Sequence, residues 1–312
     1  MNGPPSTRPP VKAYVALVAS TVAFGGTFVA TKVALRGFEP LLIALLRFTV
    51  AGAILWLVWR RRGEREAVSR RELGRLALLG FVSLTVYFTF ENLGIARTSA
   101  SAAAILIATI PIFVLVLNAL TVREHTAASQ WLGVALSFTG VAALVELGAR
   151  GAGGATLGGD LLVLAASLAG AIYTVMARRL LVTRSALFVT TFQTLFGALF
   201  MAPLAAIEAA AVGVRTPTAA GSIAVLYLAL LGSIAAYLLL NYGLRFVPAG
   251  RASAFTNLVP VIAVGAAFVV LGERFTAGQG LAAVVIVAGV FLANRAGQAS
   301  PTASAPAPPA AG

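Results

Sequence analysis

The chain has no cysteine and a single histidine, and only 11% of its 312 residues are charged. Without cysteine there is no disulfide framework, no thiolate metal site and no sulfur nucleophile. The lone histidine, His125, falls in a polar stretch and cannot form a histidine cluster, so no metal site and no cofactor is expected. Acidic residues are scarce as well: ten Asp and Glu stand against 23 Lys and Arg, for a net charge of +13. A soluble domain clothes its surface with roughly 25% charged residues. This chain has less than half of that, which excludes a soluble enzyme. In place of charge there is apolar matter, with 59% hydrophobic residues and a mean hydropathy of +0.94.

Ten apolar runs follow one another, with cores at residues 14–31, 41–59, 76–90, 100–120, 131–147, 161–177, 186–207, 223–240, 252–271 and 281–293. At about 20 residues per crossing they predict ten transmembrane helices, some extended by weakly polar neighbours. Only helices or closed barrels satisfy their backbone within lipid. Barrel strands alternate polar and apolar residues, and runs such as Ala102–Ala108 do not. The fold class is therefore all-α integral membrane. Residues 1–10 and 296–312 are rich in proline and small residues and read as disordered arms. Arg8 and Lys12 before the first apolar run resemble a signal peptide, but the repeat described next requires that run as a helix.

Basic residues report orientation. With a cytoplasmic N-terminus, sixteen of the 23 fall in cytoplasmic loops or termini and six on the other side, with Arg47 left inside a run. This bias predicts a multi-pass protein of the cytoplasmic membrane with both termini inside. It also explains the +13 charge without a nucleic-acid partner.

A shift of 149 positions lays the first half on the second. Asn92 falls on Asn241, Gly94 on Gly243, Pro111 on Pro260, Glu124 on Glu273, Gln130 on Gln279 and Gly140 on Gly289. Chance matches between apolar segments would be Ala, Leu and Val, so shared Asn, Pro, Glu and Gln carry the signal. Earlier helices match at an offset near 146, which sets Arg47 against Gln193. The halves are residues 11–148 and 160–295, joined by a glycine-rich linker at 149–159 that lacks the phosphate-loop pattern. Five helices is an odd number, so the second half enters the membrane inverted. Such inverted repeats underlie alternating access.

The repeated pattern is a small-residue helix start, a proline and a glutamate: residues 98–104 with Pro111 and Glu124, then residues 248–254 with Pro260 and Glu273. With Phe24-Gly25-Gly26-Thr27-Phe28 and Arg47, it resembles the drug/metabolite transporter superfamily, EamA-type permeases, over nearly the whole chain. The resemblance implies a transporter of a small-molecule substrate, and export of amino acids or related compounds as its direction. It also implies a cavity lined mainly by helices 1, 3, 4, 6, 8 and 9, with 5 and 10 peripheral. Uptake, or a sugar or nucleotide-sugar substrate, is the alternative within the fold. A membrane enzyme would need a nucleophile–base pair or metal cluster in the membrane, which the sequence does not offer, and a scaffold would not need an inverted repeat. The expected partners are the substrate and the lipid bilayer, with room for a homo-oligomer.

Candidate site residues follow from cost. Arg47 is the one basic residue deep in an apolar run, and a mid-membrane charge costs about 2.5–3.5 kcal/mol. It lies roughly 10 Å from the helix start at Pro40, at 1.5 Å per residue, and Glu91 falls at a similar depth. They form a structural ion pair, snorkel to the headgroups, or grip the two ends of a zwitterion. Asn92 and Asn241 read substrate polar groups or join helices; Asn118, Asn257 and Gln193 are further intramembrane amides. Phe28, Tyr87, Tyr173, Tyr237 and Tyr242 can stack on a flat or cationic substrate, or mark the interfaces. Pro111 and Pro260 break the backbone ladder in mid-helix and are candidate hinges. Glu124 and Glu273 suit capping or inter-loop roles, and Gly133 and Ser137 offer a face for close packing.

Overall fold

The computed structural model describes residues 9–62, 68–122, 128–150, 156–253, 255, 258–274 and 276–296. Residues 1–8, Glu124, His125, residues 151–155 of the linker, Asn257 and residues 297–312 lie outside them. The described residues form ten helical passes: α1 (Val11–Ala34), α2 (Pro40–Arg61), α3 (Arg70–Arg97), α4 (Ala100–Ile107 and Ile110–Val122), α5 (Ala128–Arg150), α6 (Leu157–Leu181), α7 (Ala186–Val212), α8 (Ala219–Phe246), α9 (Ala249–Ser253 and Val259–Leu271) and α10 (Ala277–Ala296). Eight are long and apolar enough to cross a membrane, and two are shorter apolar helices.

Local chemistry sets the helix starts. Ser69, Ser99, Thr156, Ser185 and Thr218 each accept a hydrogen bond from the backbone N–H three residues on, which satisfies one donor left free in the first turn. Thr156 starts α6 at Leu157, three residues ahead of the half boundary read from the sequence. Pro40 opens α2, where its missing N–H costs nothing. The usual soluble pattern is inverted: Val15, Leu199, Val269 and Phe291 point outward, while Arg47, Asn92 and Asn241 are buried.

Each half gives its first helix to the other. α1 packs on α8 and α9, and α6 packs on α3 and α4. Helices α5 and α10 pack against each other at the periphery. Their contact is reciprocal: a side-chain carbon on Gly140 would meet Ile286 at 2.8 Å, and one on Gly289 would meet the Ser137 backbone at 2.5 Å. Since 137 and 140 map onto 286 and 289, these are one contact seen twice, as an inverted pseudo-twofold axis demands. The small-residue face expected at Gly133 and Ser137 is used here.

Two features differ from the sequence reading. Pro111 and Pro260 are not kinks within continuous helices. α4 stops at Ile107 and α9's first segment at Ser253, and each proline sits in the first turn of the segment that follows. That is the one helical site where proline loses no hydrogen bond. At the break in α4, the Leu106 carbonyl accepts from the Thr109 N–H at 3.1 Å, from Thr109 Oγ1 at 2.7 Å and from Ser167 Oγ of α6 at 3.1 Å. The second feature has no signature in the sequence: α3 and α8 each contain a π-helical stretch, Phe81–Val86 and Leu228–Ala235. Shifted by 149, the first falls inside the second, so the wide turn belongs to the repeat.

The ends of the bundle are called near, where α1 starts, and far, where it finishes. At the far end, carboxylates of the second half cap helices of the first. Glu273 accepts from the Ala100 and Ser101 N–H groups, both at 3.0 Å, and Glu208 accepts from Leu41 N at 2.8 Å. Thr98 donates to Asp160 at 2.6 Å, and Glu39 accepts from the Arg215 N–H at 2.8 Å. At the near end, Arg184 grips Glu72 with two parallel hydrogen bonds. Glu273 thus takes the capping role that its helix–loop position suggests.

Candidate functional site

The π-helical turn of α3 and the two helix breaks border one central cavity. It is lined by α1 (Ser20, Thr21, Phe24, Thr27, Phe28), α3 (Ser83, Tyr87, Phe88, Glu91), α4 (Ile107, Ile110), α6 (Gly170, Tyr173, Thr174), α8 (Tyr237, Leu240) and α9 (Ala252, Phe255, Val259). These are the six helices that the resemblance implies, and α5 and α10 stay outside. Its free volume is about 80 Å³, room for a handful of waters.

The walls are apolar and aromatic with a few polar groups, as ligand sites are. Tyr237 meets Phe24 at 5.4 Å and Tyr173 at 5.8 Å between ring centroids, both edge to face. Most wall hydroxyls are spent on their own helices: Ser20 donates to Leu17, Thr27 to Phe24 and Thr174 to Gly170. Ser83 Oγ is buried without a partner. Glu91 is the carboxylate among the lining residues, and Tyr87 donates to its Oε1 at 2.9 Å, one helical turn away. The repeat puts Leu240 opposite Glu91, so an acidic side chain stands on one side of the cavity only.

Arg47 lies just behind this wall, fully buried. Its Nε donates to Ser233 Oγ at 2.9 Å, in the π-helical turn of α8. Its guanidinium carbon is 4.6 Å from the ring centre of Phe88 and 5.3 Å from that of Phe48. Neither terminal nitrogen has a hydrogen-bond partner, and no ion pair joins Arg47 to Glu91 among the described residues. The two share a neighbourhood without touching.

Two successive stretches of the sequence, residues 11–145 and 157–295, each match the model of the EamA-like transporter family. The chain belongs to the EamA-like transporter family. An uncharacterized transporter, YetK, of Bacillus subtilis is 30% identical, over 90% of this chain and 86% of its own. An uncharacterized transporter of Archaeoglobus fulgidus is 29% identical, over 91% of this chain and 99% of its own. A probable terminal-alkyne amino-acid exporter of Streptantibioticus cattleyicolor is 30% identical, over 91% of this chain and 94% of its own. A solved crystal structure with 18% identity superposes with a TM-score of 0.67, covering 92% of this chain and 98% of its own.

Within this EamA-like chain the candidate residues divide. Phe28, Tyr87, Glu91, Tyr173 and Tyr237 line the cavity. Asn92 and Asn241 do not. Asn92 donates to the Pro40 carbonyl at 2.8 Å, tying α3 to α2. Asn241 donates to Thr190 at 2.9 Å and accepts from Tyr173 at 2.7 Å, tying α8 to α7 and α6. One amide in each half thus does the same joining, and Asn241 also holds a cavity tyrosine in place. Gln193 is buried in α7, and Asn118 is half-buried in α4. Tyr242 lies in a separate shallow groove with Lys12. Sequence reasoning missed Ser83 and Thr27, because hydroxyls within apolar runs look like any other weakly polar residue.

Proposed function

We propose that this protein is a secondary transporter that moves a small organic metabolite across the cell membrane by alternating access, with export of amino acids or related compounds as its direction. The observation that carries this is the cavity itself: it sits where both broken helices and the π-helical turn of α3 meet, between two inverted halves. A site at a repeat interface, flanked by discontinuous helices, is the architecture of rocking-bundle transport. The relative named as an amino-acid exporter supports the substrate class. In this reading residues 11–148 and 160–295 are the rocking units. Glu91 and the tyrosine wall receive an ammonium group, and the helix breaks at Pro111 and Pro260 are the hinges. Both termini lie in the cytoplasm, in keeping with the basic-residue bias.

Flux from proteoliposomes loaded with a metabolite panel tests the function. Amino acids are expected to leave faster than from protein-free vesicles, and a panel with no accelerated member would refute transport. In the same assay Pro111→Ala and Pro260→Ala, which restore an N–H able to heal each break, are expected to slow flux several-fold with little loss of stability; parental rates would reduce the prolines to helix starters. Orientation is read by an impermeant maleimide on single cysteines introduced into this cysteine-free chain. A cysteine at position 154 is expected to label from outside and one at position 66 is not, and the reverse pattern would overturn the topology.

A further inference from the structure

A fully buried guanidinium with two empty terminal nitrogens is an incomplete site. Its Nε is bonded to Ser233, which in turn donates to the Leu228 carbonyl at 3.0 Å, so the two terminal nitrogens are the donors left without a partner. The remaining donors of a guanidinium form a planar fork that matches a carboxylate. No carboxylate reaches it among the described residues. Burying such a charge uncompensated is costly, and the equivalent position in the second half carries the neutral Gln193. The fold therefore does not require a cation there.

The fork also lies against the cavity wall. A side-chain carbon placed on Gly232 would meet Arg47 Nη2 at 2.8 Å and Thr27 Cγ2 at 2.7 Å. Thr27 and Phe88 are both cavity-lining residues, so the guanidinium lies one layer behind the surface they form. Glu91, the nearest acid and close enough to act on Arg47 electrostatically, faces the same cavity. Ser83 adds an unpartnered hydroxyl to that wall.

We infer that Arg47 is the carboxylate-binding half of the substrate site, with Glu91 as the ammonium-binding half, and that the substrates are α-amino acids rather than simple amines. Gly232 is a specificity residue in this arrangement, because its missing side chain leaves the guanidinium its room. The inference rests on the transport reading and deepens it by naming the two charged ends the substrate must have.

The test compares melting curves of purified protein with α-amino acids, with the amines left when their carboxylate is removed, and with chloride. Amino acids are expected to raise the melting temperature of the parent, and the matching amines to need at least tenfold higher concentration for the same rise. Arg47→Gln is expected to melt higher than the parent without ligand, since a buried unpaired charge is gone, and to respond equally to amino acid and amine. Gly232→Ala keeps the arginine but displaces it, and is expected to lose the same preference, which covers the case of an Arg47→Gln protein that does not fold. Equal response of the parent to amino acid and amine, or chloride matching the amino acid, would overturn the subsite. So would Arg47→Gln that melts lower and keeps the preference. Vesicles that export only compounds without a carboxylate would leave transport standing and remove the subsite, whereas vesicles that export nothing would remove both.

Discussion

Glu91→Gln is expected to fold and to lose export about ten- to a hundredfold. Glutamine is isosteric and still accepts the Tyr87 hydrogen bond, which the carboxylate now receives at 2.9 Å, so the local packing survives. What disappears is the negative charge that the cavity wall offers. A charge-assisted contact in a dry site is worth about 1.5–3 kcal/mol, and each 1.4 kcal/mol is about tenfold in rate or affinity. The measurement is initial efflux rate together with melting temperature. A variant of parental stability that exports at the parental rate would mean that no substrate charge meets Glu91. Lost pH-driven accumulation with intact downhill exchange would assign Glu91 to a coupling proton instead.

Gly289→Leu is expected to cost the folded state itself. The neighbours of a side chain at this position are backbone atoms of α5, with the Ser137 nitrogen at 2.5 Å and the Gly133 oxygen at 2.7 Å. Flexible side chains can rotate away from an intruder, but backbone cannot, so α5 and α10 must separate along their shared seam. Overpacking a core typically costs about 1–3 kcal/mol, and backbone neighbours put this case at or above the top of that range. Gly280→Leu is the control, because a side chain at Gly280, on the same helix, meets nothing within 4 Å. The yield of monodisperse protein after detergent extraction is expected to collapse for the first and hold for the second. Equal yields would mean that the α5–α10 seam does not hold the bundle together.

Most of the fold is legible in the sequence because membrane insertion leaves few options. Apolar runs of a set length predict helices, and Asn92, Pro111 and Gln130 recurring 149 positions later predict two copies of one unit. The candidate site is legible in part. Glu91 and the tyrosines stand out as polar or aromatic residues in apolar runs, and five of the candidates line the cavity. Asn92 and Asn241 stand out equally, yet they bond between helices, because an amide's cost in lipid is the same whether a helix or a ligand satisfies it. The separation of Arg47 from Glu91 is invisible at one-residue resolution, since equal depth on two helices says nothing about which way each side chain turns. The π-helical turns leave no trace either: one extra residue per turn changes the hydrogen-bond partner without changing composition.

The carboxylate caps at the far end have a thermodynamic consequence for the proposed cycle. In an ideal inverted repeat, the two end states would be mirror conformers of equal free energy, and the resting population would divide evenly. Glu273 has a counterpart in Glu124, but at the offset of the earlier helices Glu208 falls on Arg62. A guanidinium carries no acceptor and cannot cap a helix start. In the proposed alternating-access cycle, the bonds from Leu41 and Leu42 to Glu208 therefore have no equivalent at the near end. The Arg184–Glu72 pair of the near end likewise has none at the far end, where the matching positions are Phe38 and Thr218. Each unmatched charged contact shifts the proposed end states by about 1.5–3 kcal/mol, roughly ten- to a hundredfold, so the far-end and near-end contacts together leave a net bias in the resting ratio. Distances between spin labels on the two ends read that ratio directly, and an even division would show that other contacts cancel it.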